Sequence, residues 1–237
     1  MPSNPQNAID FHQELAPKWN QKYERQIFEQ RAERLTSALA EAVGTGEKWI
    51  DAGCGTGTIS RILVDMGVTV TGFDGSSKMI EIAISKSESQ IKEGVARFEL
   101  VETIEELPSE SGSIDGIICS SVIEYLDNPK VCLAEFNRAL KTGGKLVLTA
   151  PNRLSLLAVC LKAVFWITCT FTRNPRPAYM RFSRNHYSGR ELESLLSKCG
   201  FDVVKLEYTS FWPNWIRHKC FGGMCIYQGT KAEAVEV

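Results

Sequence analysis

Three glycines and two acids lie where a small ligand could be held. Residues 49–57 read WIDAGCGTG, so Gly53, Gly55 and Gly57 alternate with other residues just after a short apolar run. Glycine reaches positive φ without strain and lets a ligand approach the backbone. The dinucleotide fingerprint is GxGxxG. Here Thr58 holds the place of that third glycine, and the glycine falls one residue early. Asp51 closes the apolar run before the loop. A carboxylate there would repel a pyrophosphate and attract an ammonium. The loop therefore suits a ligand with a cationic head. Asp74, in GFDGSS, closes the next apolar run. In nucleotide-binding α/β folds an acid about 20 residues beyond the glycines accepts hydrogen bonds from ribose hydroxyls. Either acid alone could equally cap a loop or helix. Both together, flanking GxGxG at strand ends, favour a ligand.

The surrounding pattern shows what must position these residues. Residues 8–43 read as one helix, with Ile27, Leu35, Leu39 and Val43 recurring at near-helical spacing before Gly44 and Gly46 end it. Strands are expected at 48–52, 68–73, 95–101, 114–119 and 145–150. Helices are expected at 58–66, 76–90 (capped by Ser76) and 130–140, the last stopped by Gly143 and Gly144. A helix over 189–198 and strands over 201–207 and 222–228 resume the pattern, and the tail is expected to be loose. Short strands alternating with helices argue for a parallel sheet covered on both faces, with the ligand along its carboxyl edge.

Bulk properties set limits. The 237 residues suit one domain, and 43% hydrophobic with 23% charged residues is ordinary for a folded protein. A net charge of −1 provides no basic field for nucleic acid. The polar start, MPSNPQNAID, reads as no signal peptide. Eight cysteines lack CxxC spacing and are expected as reduced, buried thiols in the cytoplasm, with Cys119, Cys160 and Cys169 in apolar runs. Residues 154–171, LSLLAVCLKAVFWITCTF, are marginal in length for a membrane span, and Lys162 sits near their centre. Three readings remain open: a helix buried in the domain, an interfacial helix that admits a lipophilic substrate, or a true span. Flanking arginines and Trp166 suit a headgroup layer.

DAGCGTG, Asp74, the stretch EELPSESGSIDGIICSSVIEYLDNP and the stretch LAEFNRALKTGGKLVLTAPN together resemble the class I S-adenosylmethionine-dependent methyltransferases over residues 47–151, with a weaker echo at 187–208. The resemblance implies a Rossmann-like α/β fold. Its seven-stranded sheet would be mostly parallel, with helices on both faces and the last strand antiparallel. It also implies one domain over 1–237: a helical lid (1–45), a cofactor-binding core (46–151), a substrate-side insertion (152–187) and the C-terminal part of the sheet (188–237). S-adenosyl-L-methionine is the implied cofactor. By position, Asp51, Gly53, Cys54, Gly55 and Gly57 would hold its methionine end, Cys54 as a space-filling residue. Asp74 would hold the ribose, with Gly75 and Ser76 lining that turn. Thr103 stands where many relatives have an acid facing the adenine, so the Ile104 backbone amide becomes the adenine contact. Ser120 would lie beside the cofactor's centre.

The opening DFHQELAPKWNQKYE resembles the lid of ubiquinone-biosynthesis O-methyltransferases and magnesium-protoporphyrin methyltransferases. The former carry Glu-x-x-Glu-His after the fourth strand; here residues 121–125 read SVIEY and retain only Glu124. One carboxylate makes a poor magnesium or zinc site, so no metal is expected. Methyl transfer to oxygen or nitrogen also needs a proton removed, and histidine suits that. Of His12, His186 and His218, His186 is the leading base, and Tyr125 and Tyr23 could contact the acceptor or simply pack. The resulting expectation is an O-methyltransferase for a hydrophobic or lipid-linked acceptor, with no nucleic-acid partner, in the cytoplasm or peripheral at a membrane's inner face through 154–171. A small polar or nitrogen acceptor, a nicotinamide oxidoreductase and a non-catalytic scaffold are the alternatives. Asp51 and the missing third glycine count against the oxidoreductase.

Overall fold

A computed structural model describes residues 5–19, 26–172, 176–210 and 222–233. Among them are seven strands: β1 Lys48–Ala52, β2 Thr69–Asp74, β3 Ala96–Leu100, β4 Ile114–Ser120, β5 Leu140–Pro151, β6 Phe201–Ser210 and β7 Gly222–Lys231. They form one sheet in the order β3-β2-β1-β4-β5-β7-β6. β7 runs antiparallel to both β5 and β6, and the pairs among β1 to β5 are parallel. The strand order reverses between β1 and β4. The crevice beyond the carboxyl ends of the strands therefore opens there, where α/β sheets take their ligands.

The central strands are apolar without alternation because both sheet faces are covered. Ile50, Ile117, Leu146 and Leu148 enter one buried cluster, while Trp49, Ile118 and Val147 enter another. Trp49 and Gly116 are register partners across β1 and β4. A Cβ on Gly116 would lie 2.2 Å from the Trp49 ring, so the indole lies over the one neighbour that leaves room for it. The indole nitrogen donates to Glu47 Oε2 at 2.9 Å, and Lys145 Nζ donates to Glu47 Oε1 at 2.6 Å.

Among the described residues the helices are α1 Ala8–Leu15, α2 Gln26–Ala42, α3 Thr58–Asp65, α4 Ser77–Lys86, α5 Glu88–Lys92, α6 Pro129–Ala139, α7 Leu156–Phe171 and α8 Gly189–Lys198. Four sequence expectations are corrected. The helix over 8–43 is not continuous: α1 passes into a 3-10 turn, Ala16–Lys18, at Pro17, whose missing N–H and ring cannot continue the α-helical ladder. The helix over 76–90 breaks at Ser87, which is buried at φ −122° and ψ 24°. α6 ends at Ala139 rather than at the glycines, because Leu140 is already extended and pairs with Ile114; Gly143 and Gly144 lie inside β5. Finally, α7 is not a buried helix. None of its residues is buried, and Cys160 and Cys169 are exposed rather than packed inside. Uniform apolarity cannot tell a core helix from one lying on the surface.

Candidate active site

The glycine loop leaves β1 and is fastened to β2. The amides of Gly53 and Cys54 donate to the Phe73 carbonyl at 2.7 and 2.9 Å. Gly53, Gly55 and Gly57 stand at φ 78°, 54° and 71°. At Gly53 a Cβ would fall 2.2 Å from Val122, so backbone conformation and close packing both require glycine there. Gly57 is the left-handed N-cap of α3. Asp74 ties the loop to the end of β2: its Oδ2 accepts from the Gly55 amide at 2.9 Å and its Oδ1 from the Ser76 amide at 2.8 Å. Burial raises the Asp74 pKa, opposed by those amides. Ser76 Oγ accepts from the Met79 amide, capping α4, and donates to Gln13 Oε1 at 3.4 Å, which draws α1 over the turn. Ile9 of α1 approaches Gly75 so closely that a Cβ there would lie 2.8 Å from Ile9 Cδ1.

Asp51 is 1% exposed. Its Oδ2 accepts from Ser60 Oγ at 2.6 Å, and its Oδ1 is buried without a partner. Burial, with the charge of Asp74 as a lesser cause, pushes its carboxyl up to about 7. Cys54 packs with Ile80, Ala83 and Phe98, and burial pushes its thiol well up, as a space-filling side chain requires. Ser120 Oγ lies 3.3 Å from Thr149 Oγ1, which also accepts from the Ser121 amide at 2.9 Å. Ser121 holds φ 60°, a left-handed conformation unusual for serine. No sequence signal marks it. Thr103 is exposed and its Oγ1 accepts from the Glu105 amide, so its hydroxyl shapes the turn. The turn is braced from α6, where Arg138 donates to the carbonyls of Leu107 and Ser109 and to Glu135.

One cavity of about 590 Å³ joins these parts. Gly53, Cys54, Gly55, Asp74, Gly75, Ser76, Thr103, Ile104 and Ser120 line one end, while Tyr125, Leu157, Leu161, Tyr179, Met180 and His186 line the other. Asp51 and Gly57 stand behind the wall rather than on it. Four rings roof the join. His12 meets Tyr125 edge-on with centroids 4.8 Å apart, and also meets Trp19 and Phe11 at 5.3 Å. The packing role foreseen for Tyr125 is thus present. Phe11, Trp19 and Gln13 were not singled out from sequence; their signal was the aromatic pattern of residues 10–19. Tyr23 and His218 lie outside the described residues.

His186 is brought to the cavity by a clasp. The Glu124 carbonyl accepts from the amides of Arg184 and Asn185 at 2.8 and 3.1 Å. Asn185 Nδ2 donates to the carbonyls of Ile123 and Leu126 at 3.1 and 2.7 Å. A capping box between Ser188 and Glu191 then starts α8. His186 Nε2 lies 3.0 Å from Ser183 Oγ and 3.3 Å from the Ser183 carbonyl. A carbonyl only accepts, so Nε2 carries the proton and Nδ1 presents the lone pair. Nδ1 is buried with no hydrogen-bond partner. Burial, then the charge of Lys162, pushes the imidazole pKa below its ordinary value, so the ring is neutral at pH 7.

The residues fit S-adenosylmethionine. A buried carboxylate with an unfilled oxygen stands behind the loop for a cationic head, a glycine cradle excludes side chains, and Asp74 stands at the end of β2 for hydroxyls. Comparisons with known proteins agree. The methyltransferase-domain family model matches residues 23–206. The chain is 29% identical over 154 residues to a ubiquinone biosynthesis O-methyltransferase of Xanthomonas axonopodis pv. citri, and the match spans only 62% of that relative and of this chain. It is 29% identical over 192 residues, 79% of each chain, to the O-methyltransferase rstn1 of Aspergillus nomiae. Its fold is similar to that of magnesium protoporphyrin IX methyltransferase from Synechocystis, solved with bound S-adenosylhomocysteine (TM-score 0.70, 19% identity, 95% of each chain). It is equally similar to that of the [4+2]-cyclase SpnF (TM-score 0.73, 18% identity, 98% of this chain and 97% of that one), so the fold alone does not name a reaction. With the family model covering most of the chain over this cradle, the protein belongs to the methyltransferase-domain family and uses S-adenosyl-L-methionine.

Proposed function

We propose that the protein transfers a methyl group to an oxygen of a hydrophobic or lipid-linked acceptor, with His186 as the general base. The observation that carries this reading is the continuous cavity of the site. It runs from the glycine cradle to a largely apolar vestibule with a neutral histidine in its wall. The O-methyltransferase names of the 29%-identical relatives support the choice of oxygen. The cofactor supplies a methyl already activated on a sulfonium. The chain's task is positioning and proton removal. Tyr125, Leu126 and Leu161 offer an acceptor its apolar walls. Held in the glycine cradle, the cofactor would supply that methyl to the acceptor oxygen and keep the electron pair of the bond that breaks, and His186 would take up the acceptor's proton. Ser183 keeps the proton of Nε2 on the far side of the ring, so Nδ1 is the nitrogen that can accept. Cytoplasmic residence is part of the proposal, supported by the buried thiols of Cys54, Cys119, Cys132 and Cys225.

A labelled-methyl assay on lipid and quinone extracts tests it. Label is expected in the organic phase as an ether or ester. His186→Gln should lower kcat by about 10²–10⁴-fold while leaving S-adenosylmethionine affinity within about twofold. Label confined to small polar products, or to nitrogen, would reject the acceptor class. An unchanged kcat in the variant would reject the base.

A further inference from the structure

Among the described residues fourteen large hydrophobic side chains are exposed, and eight of them lie between Leu154 and Phe171. They are not scattered. α7 turns Ala158, Leu161, Lys162, Phe165 and Thr168 toward the protein, all half-buried. It turns Leu156, Val159, Val164, Trp166, Ile167 and Phe171 to solvent, with Trp166 at 71% and Phe171 at 80% exposure. The usual amphipathic order is therefore lost: the one charge of the helix faces in, while Trp166 and Phe171 face out. A contiguous apolar patch of this kind marks a contact surface.

Charge identifies the partner. Residues 152–187 contain six cations (Arg153, Lys162, Arg173, Arg176, Arg181 and Arg184) and no acid, although the whole chain carries 28 acids and a net charge of −1. Arg153 and Arg184 pair with Glu191 and Asp127, but in exposed pairs that a stronger anionic field can replace. A second copy of this segment would bring its own cations, again without an acid, against Arg176 and Arg181, so self-association is disfavoured. Lying across it, an anionic surface with an apolar interior satisfies both features at once. The sixteen-residue helix spans about 24 Å, short of a bilayer core of about 30 Å. No helix among the described residues is long and apolar enough to cross a membrane.

We propose that α7 lies flat on an anionic phospholipid bilayer, its outward face sunk at the headgroup boundary and the exposed Arg176 and Arg181 against the phosphates. Leu157, Ala158 and Leu161 of the same helix line the cavity, so docking sets the cavity mouth against the membrane. This deepens the reading of a lipophilic acceptor by naming where that acceptor is met. The docking itself requires neither acceptor nor cofactor.

Vesicle flotation of the full chain tests it, with phosphatidylcholine alone and with phosphatidylcholine containing a third phosphatidylglycerol. Binding is expected to the anionic vesicles, at least tenfold weaker to the neutral ones, and weakened by high salt. Trp166→Glu with Phe171→Glu should reduce it at least tenfold. Both side chains are largely exposed, so the melting temperature should hold; this is checked in parallel. Arg176→Glu with Arg181→Glu, which leaves every apolar side chain of α7 in place, should also reduce anionic binding. Equal binding to both vesicle types, binding untouched by either pair, or no binding would overturn the proposal. So would a dimer that the Trp166/Phe171 pair dissolves in a protein that ignores vesicles. Methyl transfer to a detergent-dispersed acceptor, measured on the same variants, separates the two ideas: its loss bears on the enzymatic reading alone.

Discussion

A buried carboxylate with one unfilled oxygen gives the site its pH signature. Asp51 titrates near 7 because burial disfavours its charge. Below that pH it is neutral and cannot attract a cationic head; above it, it can. Affinity for S-adenosylmethionine should therefore fall by up to about tenfold per pH unit below 7, while affinity for a neutral adenosine fragment stays flat, as titration calorimetry from pH 5.5 to 8.5 would show. The same shift acts on stability with the opposite sign. A carboxyl raised in the folded state favours folding when protonated, and that advantage is lost as pH rises through about 7. Asp51→Asn should then raise the melting temperature of the free protein at pH 8 while weakening cofactor binding more than tenfold. A variant that lost both would show Asp51 to be a structural anchor instead. For His186, whose pKa is lowered, kcat should be flat above pH 7 and fall on acidification only below its ordinary 6.5.

At the scale of elements, glycines set how closely strand and loop approach. Gly116→Ala would drive a methyl into the Trp49 ring at 2.2 Å between β4 and β1. Overpacking of this kind costs about 1–3 kcal/mol, to be read from urea unfolding, with the cofactor site intact once folded. Gly53→Ala is different: the clash with Val122 and φ 78° lie in the loop itself, so cofactor affinity should drop sharply. The Asn185 clasp separates the two ends of the cavity. Asn185→Ala removes two hydrogen bonds to the 123–126 turn and should lower kcat at least tenfold by displacing His186, with cofactor affinity nearly unchanged. Loss of cofactor binding in that variant would mean the turn serves the cradle as well.

Across the whole molecule, the glycine-loop end of the cavity is built from β1, β2, β4 and their loops, and is covered by α1 through Gln13, Ile9 and the His12 ring cluster. No residue of α1 is buried, so it should exchange amide hydrogens fast in the free protein and slowly with cofactor bound. Binding should also stabilise the fold by about 2.7 kcal/mol at a cofactor concentration of 100 Kd. Hydrogen exchange with S-adenosylhomocysteine present and absent would test both. Protection confined to the glycine loop would show that α1 does not close on the ligand.

The chain pattern alone gave a parallel sheet and a glycine loop suited to a ligand with a cationic head; S-adenosylmethionine came from the family resemblance. Strand-end acids, alternating glycines and fully apolar strands are local consequences of backbone conformation and two-sided burial. Each is written in consecutive residues such as Asp51–Gly57 and Ile114–Ser120. What only the tertiary structure decided depends on contacts between distant segments. Which nitrogen of His186 offers its lone pair depends on Ser183 and on the clasp to Glu124, 62 positions away. Ser76 caps a helix and also meets Gln13, 63 positions away. Residues 154–171 show the limit most clearly. Their apolarity was plain, but whether it faced the core or solvent depended on what the rest of the chain packed against it, and the answer is that the lysine faces in and the tryptophan faces out.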